Sequence, residues 1–172
     1  STDETRYNLN GVLIDEAGAN DDKKVRMVAT DGHRLSIVER SFKAGWNLQK
    51  GVIVPRKGVA ELKRLCESGD SNIELWIDAK HLIAYKDNMT LVIRLIDGQF
   101  PPYEQVVPKK IKRVVSVEKD GLAKALRRVS VLSTDRTRGV KFSFSPKNLD
   151  IFASNPDMGE AHEEISADYK GD

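Results

Sequence analysis

Lys24–Arg40 reads KVRMVATDGHRLSIVER. Lys24 to Thr30 alternates with period two, which predicts a strand with Val25, Met27 and Ala29 on one face. Asp31-Gly32 is a turn dipeptide, because Asp accepts local backbone hydrogen bonds and Gly reaches positive φ without steric cost. Leu35 to Arg40 resumes the strand pattern. Two strand-like runs joined by Asp-Gly predict an antiparallel hairpin. Tyr7–Asp15 (YNLNGVLID) predicts a strand before it, and Gly51–Val54 a short one after it, closed by Pro55.

A helix is predicted after Pro55. Val59, Leu62 and Cys66, with Leu65 beside them, form its apolar stripe, while Lys57, Glu61 and Arg64 lie opposite and Ser68-Gly69-Asp70 stops it. Asn72–Ala79, His81–Asp87 and Met89–Ile96 predict three more strands, with Asp87-Asn88 as a hairpin turn. The prolines of Gln99–Tyr103 (QFPPY) break the pattern. It then restarts with a strand at Arg113–Glu118 and a helix at Gly121–Leu132, N-capped by Asp120. That helix carries a stripe of Leu122, Leu126 and Val129 opposite Lys124, Arg127 and Arg128. Val140–Ser145, Leu149–Ser154 and Ala161–Tyr169 complete the strands. Gly11-Val12 followed by Val28-Ala29-Thr30-Asp31 recurs, at nearly the same separation, as Gly139-Val140 followed by Phe152-Ala153-Ser154-Asn155. A duplicated strand–helix–strands unit accounts for both, and the fold class expected is α+β.

Composition excludes more than it assigns. With 40% hydrophobic and 31% charged residues, the chain of 172 residues is an ordinary globular one. No apolar run reaches the roughly 18 residues of a membrane span. The start, Ser1–Arg6, is polar and has no apolar signal core. A single cysteine, Cys66, excludes an intramolecular disulfide, and the simple expectation is a cytoplasmic protein. Net charge of +2 does not by itself declare a nucleic-acid binder, so any DNA-facing charge must be sorted onto one face. Asp31, His33 and Arg34 have no neighbouring nucleophile or metal partner, so no enzyme, no metal and no cofactor is expected. Trp46, Trp76 and Cys66 are read as packing residues.

Arg6–Gly11 (RYNLNG), Val28–Leu35 (VATDGHRL), Val54–Gly58 (VPRKG) and Asp97–Tyr103 (DGQFPPY), in this order and spacing, resemble the middle domain of the bacterial beta sliding clamp, the DNA polymerase III beta subunit. Arg138-Gly139-Val140 and Asn155-Pro156 resemble its third domain. The resemblance implies repeated units with antiparallel sheets outside and helices lining a channel for duplex DNA. It divides the chain into a middle domain, 1–110, lacking its first strand and helix, and the first half of a third domain, 111–172. Both ends are therefore expected to be cut, and such a piece should not close the family's homodimeric ring.

The resemblance also assigns sites. Leu9, Thr30, Gly32, His33, Arg34, Leu35, Pro101 and Val106 match a pocket that receives peptides of the DNA polymerase III alpha subunit, the clamp loader and repair polymerases. A family arginine before Val106 is Gln105 here, and the far wall of the pocket is expected beyond Asp172. Tyr7, Arg56, Lys57, Arg64, Lys124, Arg127 and Arg128 match or face the DNA channel, although Asn8 replaces a tyrosine common beside Tyr7 in relatives. Val131 and Leu132 match the subunit interface. The alternative function is a freestanding nucleic-acid or peptide-binding module on the same fold.

Overall fold

In the computed structural model, residues 4–18, 24–41, 50–132 and 139–170 are described. Trp46 and Arg138 lie outside them. The chain forms two compact units, Ser1–Val106 and Val107–Asp172. It is an α+β protein, with antiparallel sheets and, among the described residues, two α-helices.

The first unit contains strands β1 (Gly11–Ala17), β2 (Lys24–Thr30), β3 (Leu35–Ser41) and β4 (Val52–Pro55) in one sheet of order β3-β2-β1-β4. Helix α1 (Arg56–Glu67) leads to β5 (Glu74–Ile77), β6 (His81–Lys86) and β7 (Met89–Arg94), which form a second sheet in that order. The expected hairpin forms, with Val28 opposite Ile37 and Thr30 opposite Leu35.

Both faces of the first sheet are covered. Ile14 and Val54 pack with Leu65 of α1 and with Leu82, Ala84 and Ile93 of the second sheet. Leu13, Val28 and Ile53 pack on the other side with Tyr103, joined by Leu35, Ile96 and Phe100. This corrects the single apolar face expected of β2. Val25 packs against the first cluster and Val28 is buried in the second, whereas Met27 is 38% exposed. A strand covered on both sides has no reason to alternate in hydropathy.

Other expectations shift for equally local reasons. Glu4–Leu9 forms a 3₁₀ segment, so Tyr7–Leu9 is not strand. In α1 the buried positions are Gly58 and Leu65, with Val59 and Leu62 partly covered, and Cys66 is exposed. One residue is a 100° rotation on a helix, so Leu65 and Cys66 cannot both face inward. A Cβ on Gly58 would lie 2.4 Å from Ile93 Cγ2, so a side chain there would hold the helix off β7. Trp76 is 67% exposed on the outer face of β5, while Leu75 and Ile77 face the core. The period of two places it outside.

The second unit holds β8 (Val114–Val117), α2 (Lys119–Val129), β9 (Lys141–Phe144), β10 (Asn148–Asn155) and β11 (Gly159–Lys170). The sheet order is β8-β11-β10-β9. Its meander β9-β10-β11 repeats β1-β2-β3, as the internal repeat predicted. β10 follows the period of two cleanly, with Leu149, Ile151 and Ala153 buried beneath Ala125 and Val129 of α2. The N-cap of α2 is Glu118, not Asp120: its carboxylate accepts the backbone N–H groups of Asp120 and Gly121. The helix ends at Val129, and Ser130–Leu132 tightens into a 3₁₀ turn.

Candidate functional site

Three segments of the first unit converge around the β2–β3 turn. Thr30 Oγ1 donates to the Arg34 carbonyl at 2.8 Å and accepts the Gly32 N–H at 3.1 Å. Gly32 sits at φ +88°, the left-handed region that favours glycine. Asp31 Oδ1 accepts the backbone N–H groups of Arg34 and His33, each at 3.0 Å, while Arg34 Nε donates to Oδ2 at 3.0 Å. His33 and Arg34 thereby present exposed side chains on a fixed backbone.

The 3₁₀ segment Glu4–Leu9 lies against this turn and against the proline-containing stretch. A Cβ on Gly32 would meet Arg6 Nη1 at 2.9 Å. Asn8 Nδ2 donates to the Gln99 carbonyl at 2.8 Å, and a Cβ on Gly98 would meet the Tyr7 ring at 3.4 Å. Leu9 is buried, and Leu35 packs on the cluster that includes Tyr103. Tyr103 is anchored in turn by Arg26, whose Nη1 donates to its hydroxyl at 3.0 Å. Pro101 lines a concavity of about 260 Å³, and Val106 is 70% exposed. Of the eight residues assigned to the peptide pocket, Thr30, Gly32, His33, Arg34 and Leu35 form one hydrogen-bonded turn. Leu9 lies at the end of the segment covering that turn, and Pro101 and Val106 flank Tyr103. Sequence reading missed Arg6, Arg26 and Tyr103, which position these pieces. Their signal was weak, since each acts through a partner distant in sequence.

The backbone N–H groups of Arg34 and His33 hold the Asp31 carboxyl down at about 2, below its ordinary 3.8. The ionised form is favoured by folding. Its contribution to stability is thus present above about pH 4 and lost as pH falls toward 2. We expect the His33 and Arg34 amides to stay protected from exchange down to pH 4 and to lose protection only as pH approaches 2. Loss of protection between pH 6 and 5 would show that Asp31 does not organise the turn.

The basic candidates divide by their partners. Arg64 Nη1 pairs with Glu61 at 2.7 Å. Arg128 is held by Glu163 of β11 through two bonds of 2.6 and 2.7 Å, which raises its pKa and lowers that of Glu163. Sequence reading gave α2 no interrupting acid. The acid comes from the neighbouring strand instead. Arg56, Lys57, Lys124 and Arg127 have no ion-pair partner among the described residues. Arg56 and Lys57 occupy the first turn of α1, which contains no acid and whose N-cap, Pro55, offers no side-chain bond. Cations there oppose the helix dipole, so they cost stability unless an anion joins them. Tyr7 is 58% exposed. Val131 is 69% exposed, whereas Leu132 is half-buried. Among the described residues no group of three His, Cys, Asp or Glu side chains could hold a metal ion, and no helix is long and apolar enough to cross a membrane.

The family descriptions that match are "DNA polymerase III beta subunit, central domain" over residues 1–102 and "DNA polymerase III beta subunit, C-terminal domain" over residues 104–172. The chain belongs to the DNA polymerase III beta subunit family. It is 37% identical to the beta sliding clamp of Caulobacter vibrioides over 172 residues, all of this chain and 46% of that protein. With the Escherichia coli K12 beta sliding clamp the identity is 37% over 169 residues, 98% of this chain and 44% of that protein. The crystal structure of a Bartonella birtlesii DnaN sliding clamp bound to griselimycin superposes with a TM-score of 0.92 at 36% identity, covering all of this chain and 46% of its own. The Pseudomonas aeruginosa DNA polymerase III subunit beta gives 0.89 at 35%, again covering all of this chain and 46% of its own. The chain therefore spans somewhat under half the length of these relatives.

Proposed function

We propose that the chain is part of a DNA sliding clamp: a non-catalytic, cytoplasmic processivity factor that, in a full-length homodimer, encircles duplex DNA and tethers polymerases. The observation carrying this reading is the match of two successive clamp domains along the whole chain. Residues 1–110 would be most of the middle domain and 111–172 the first half of the third. On this reading α1 and α2 face the channel. Arg56, Lys57, Lys124 and Arg127 meet phosphates directly, while Arg64 and Arg128 must first leave Glu61 and Glu163. Charge without base-reading geometry suits a protein that slides. Tyr7 lies near DNA, where its exposed ring could stack on an unpaired base. Val131 and Leu132 meet the partner subunit.

The peptide site is the turn Thr30–Leu35 with Leu9, Pro101 and Val106. Partners of the polymerase alpha subunit, clamp loader and repair polymerase type would place a short apolar peptide there. The hydrogen bonds of Asp31 and Thr30 preform the turn in this chain alone. Further walls supplied by a full-length protein would add about 2–3 kcal/mol of apolar burial, roughly two decades in Kd. Calorimetry with a leucine-bearing polymerase peptide is expected to show that weakening, with amide NMR shifts confined to Leu9, Gly32–Leu35 and Val106. Equal affinities for the chain and the full-length protein, or shifts elsewhere, would refute the site.

A further inference from the structure

One hairpin reaches both walls of the peptide site. The turn Thr30–Leu35 forms its closed end, and Arg26 and Glu39 stand directly opposite one another four residues back along β2 and β3. Alternation along a strand puts Arg26, Val28 and Thr30 on one face, with about 13 Å between the first and the last. Val28, in the middle, is fully buried in the cluster that includes Tyr103.

Arg26 links that hairpin to the proline-containing stretch. Its Nη1 donates to the Tyr103 hydroxyl at 3.0 Å, and its Nε donates to Glu39 Oε1 at 2.7 Å. The Glu39 carboxylate fixes the guanidinium, whose planar fork then aims a second donor at the phenol. The bonds to Tyr103 and Glu39 raise the Arg26 pKa, while burial raises that of Tyr103, so a cation faces a neutral phenol at any pH near 7. Tyr103 in turn organises the backbone around it. Its N–H donates to the Pro101 carbonyl at 2.7 Å, and its carbonyl accepts the Val106 N–H at 3.1 Å. Pro101 and Val106 are the two pocket residues that this segment contributes. The Tyr103 ring is buried against Leu13, Val28 and Ile53, and its hydroxyl is the polar handle that fixes how it sits.

We propose that Arg26 is a positioning residue for peptide binding: held by Glu39, it sets through Tyr103 where Pro101 and Val106 stand relative to Thr30–Leu35. This rests on the peptide site being the one described above. Arg26 lies at the far end of the strand from the turn and acts without touching the peptide. What is at stake is one hydrogen bond to a charged group, not a whole wall of the site, so the expected effect on affinity is about fivefold to tenfold.

Titration of the whole chain with the leucine-bearing polymerase peptide, followed by amide NMR, tests this. Tyr103→Phe, which removes only the hydroxyl, and Arg26→Met are each expected to weaken binding by that factor. The double variant should bind no more weakly than either alone, because both remove the same link. Arg26→Lys keeps the charge without the planar fork and should fall between. In the free chain, Tyr103→Phe should already shift the Gln105 and Val106 amides and leave those of Gly32 and Leu35 in place. Arg40→Gln, altered on the same hairpin outside this link, should bind as the parent does. Full affinity in Tyr103→Phe, additive losses in the double variant, an equal loss in Arg40→Gln, or Gly32 and Leu35 shifts as large as that of Val106 would overturn the proposal and leave the peptide site standing. Peptide-induced shifts in the parent away from Leu9, Gly32–Leu35 and Val106 would instead refute the site, and this role of Arg26 with it.

Discussion

Replacing Lys86 with alanine is expected to destabilise the first unit by about 3 kcal/mol, the cost of an emptied core position plus lost hydrogen bonds to a charged group. Lys86 is 1% exposed, although it lies next to a hairpin turn. Its Nζ donates to the Leu65 carbonyl at 3.0 Å and to the Gly69 carbonyl at 2.8 Å. These carbonyls belong to the C-terminal end of α1 and the turn beyond it, where unpaired acceptors and the negative end of the dipole gather. The ammonium thus joins the second sheet to α1, which shares a core with both sheets. Lys86→Met keeps most of the stem and removes only the donor, so it should lose less, about 1–2 kcal/mol. Urea unfolding followed by tryptophan fluorescence measures both. A Lys86→Ala midpoint equal to that of the parent would mean the ammonium does not hold these elements together.

Lys86 also shows where sequence reading falls short. The period of two puts it on the inward face with Leu82 and Ala84, but hydropathy scores it as surface. Only the pairing of a distant helix end explains its burial. Gly58 is invisible for the opposite reason, since a residue without a side chain leaves no hydropathic mark although the helix depends on its absence. By contrast, the hairpin around Asp31-Gly32 was legible because its chemistry is local. One carboxylate and one left-handed glycine fix four residues.

The candidate sites divide in the same way. The turn Thr30–Leu35 could be read whole. Its supports could not, because Arg26 and Tyr103 are 77 residues apart. The charge sorting on α2 was misjudged because Glu163 lies 35 residues from Arg128, beyond any pattern along the helix.

Val131 should matter most where subunits meet. An exposed valine on a tight 3₁₀ turn gains little from its own chain and much from a partner. In a full-length protein containing these residues, Val131→Asp would bury an unpaired carboxylate, at a cost of about 3–5 kcal/mol, or at least a hundredfold in assembly. The measurement that tests the account most directly is the retention of that full-length protein on circular and linear duplex DNA. Salt should be high enough to screen phosphate contacts. A closed clamp is predicted to stay on the circle, to leave once the circle is cut, and to lose its hold on the circle with Val131→Asp. Equal loss from circular and linear DNA by the unaltered protein would contradict a ring and leave only an ordinary cationic binding module.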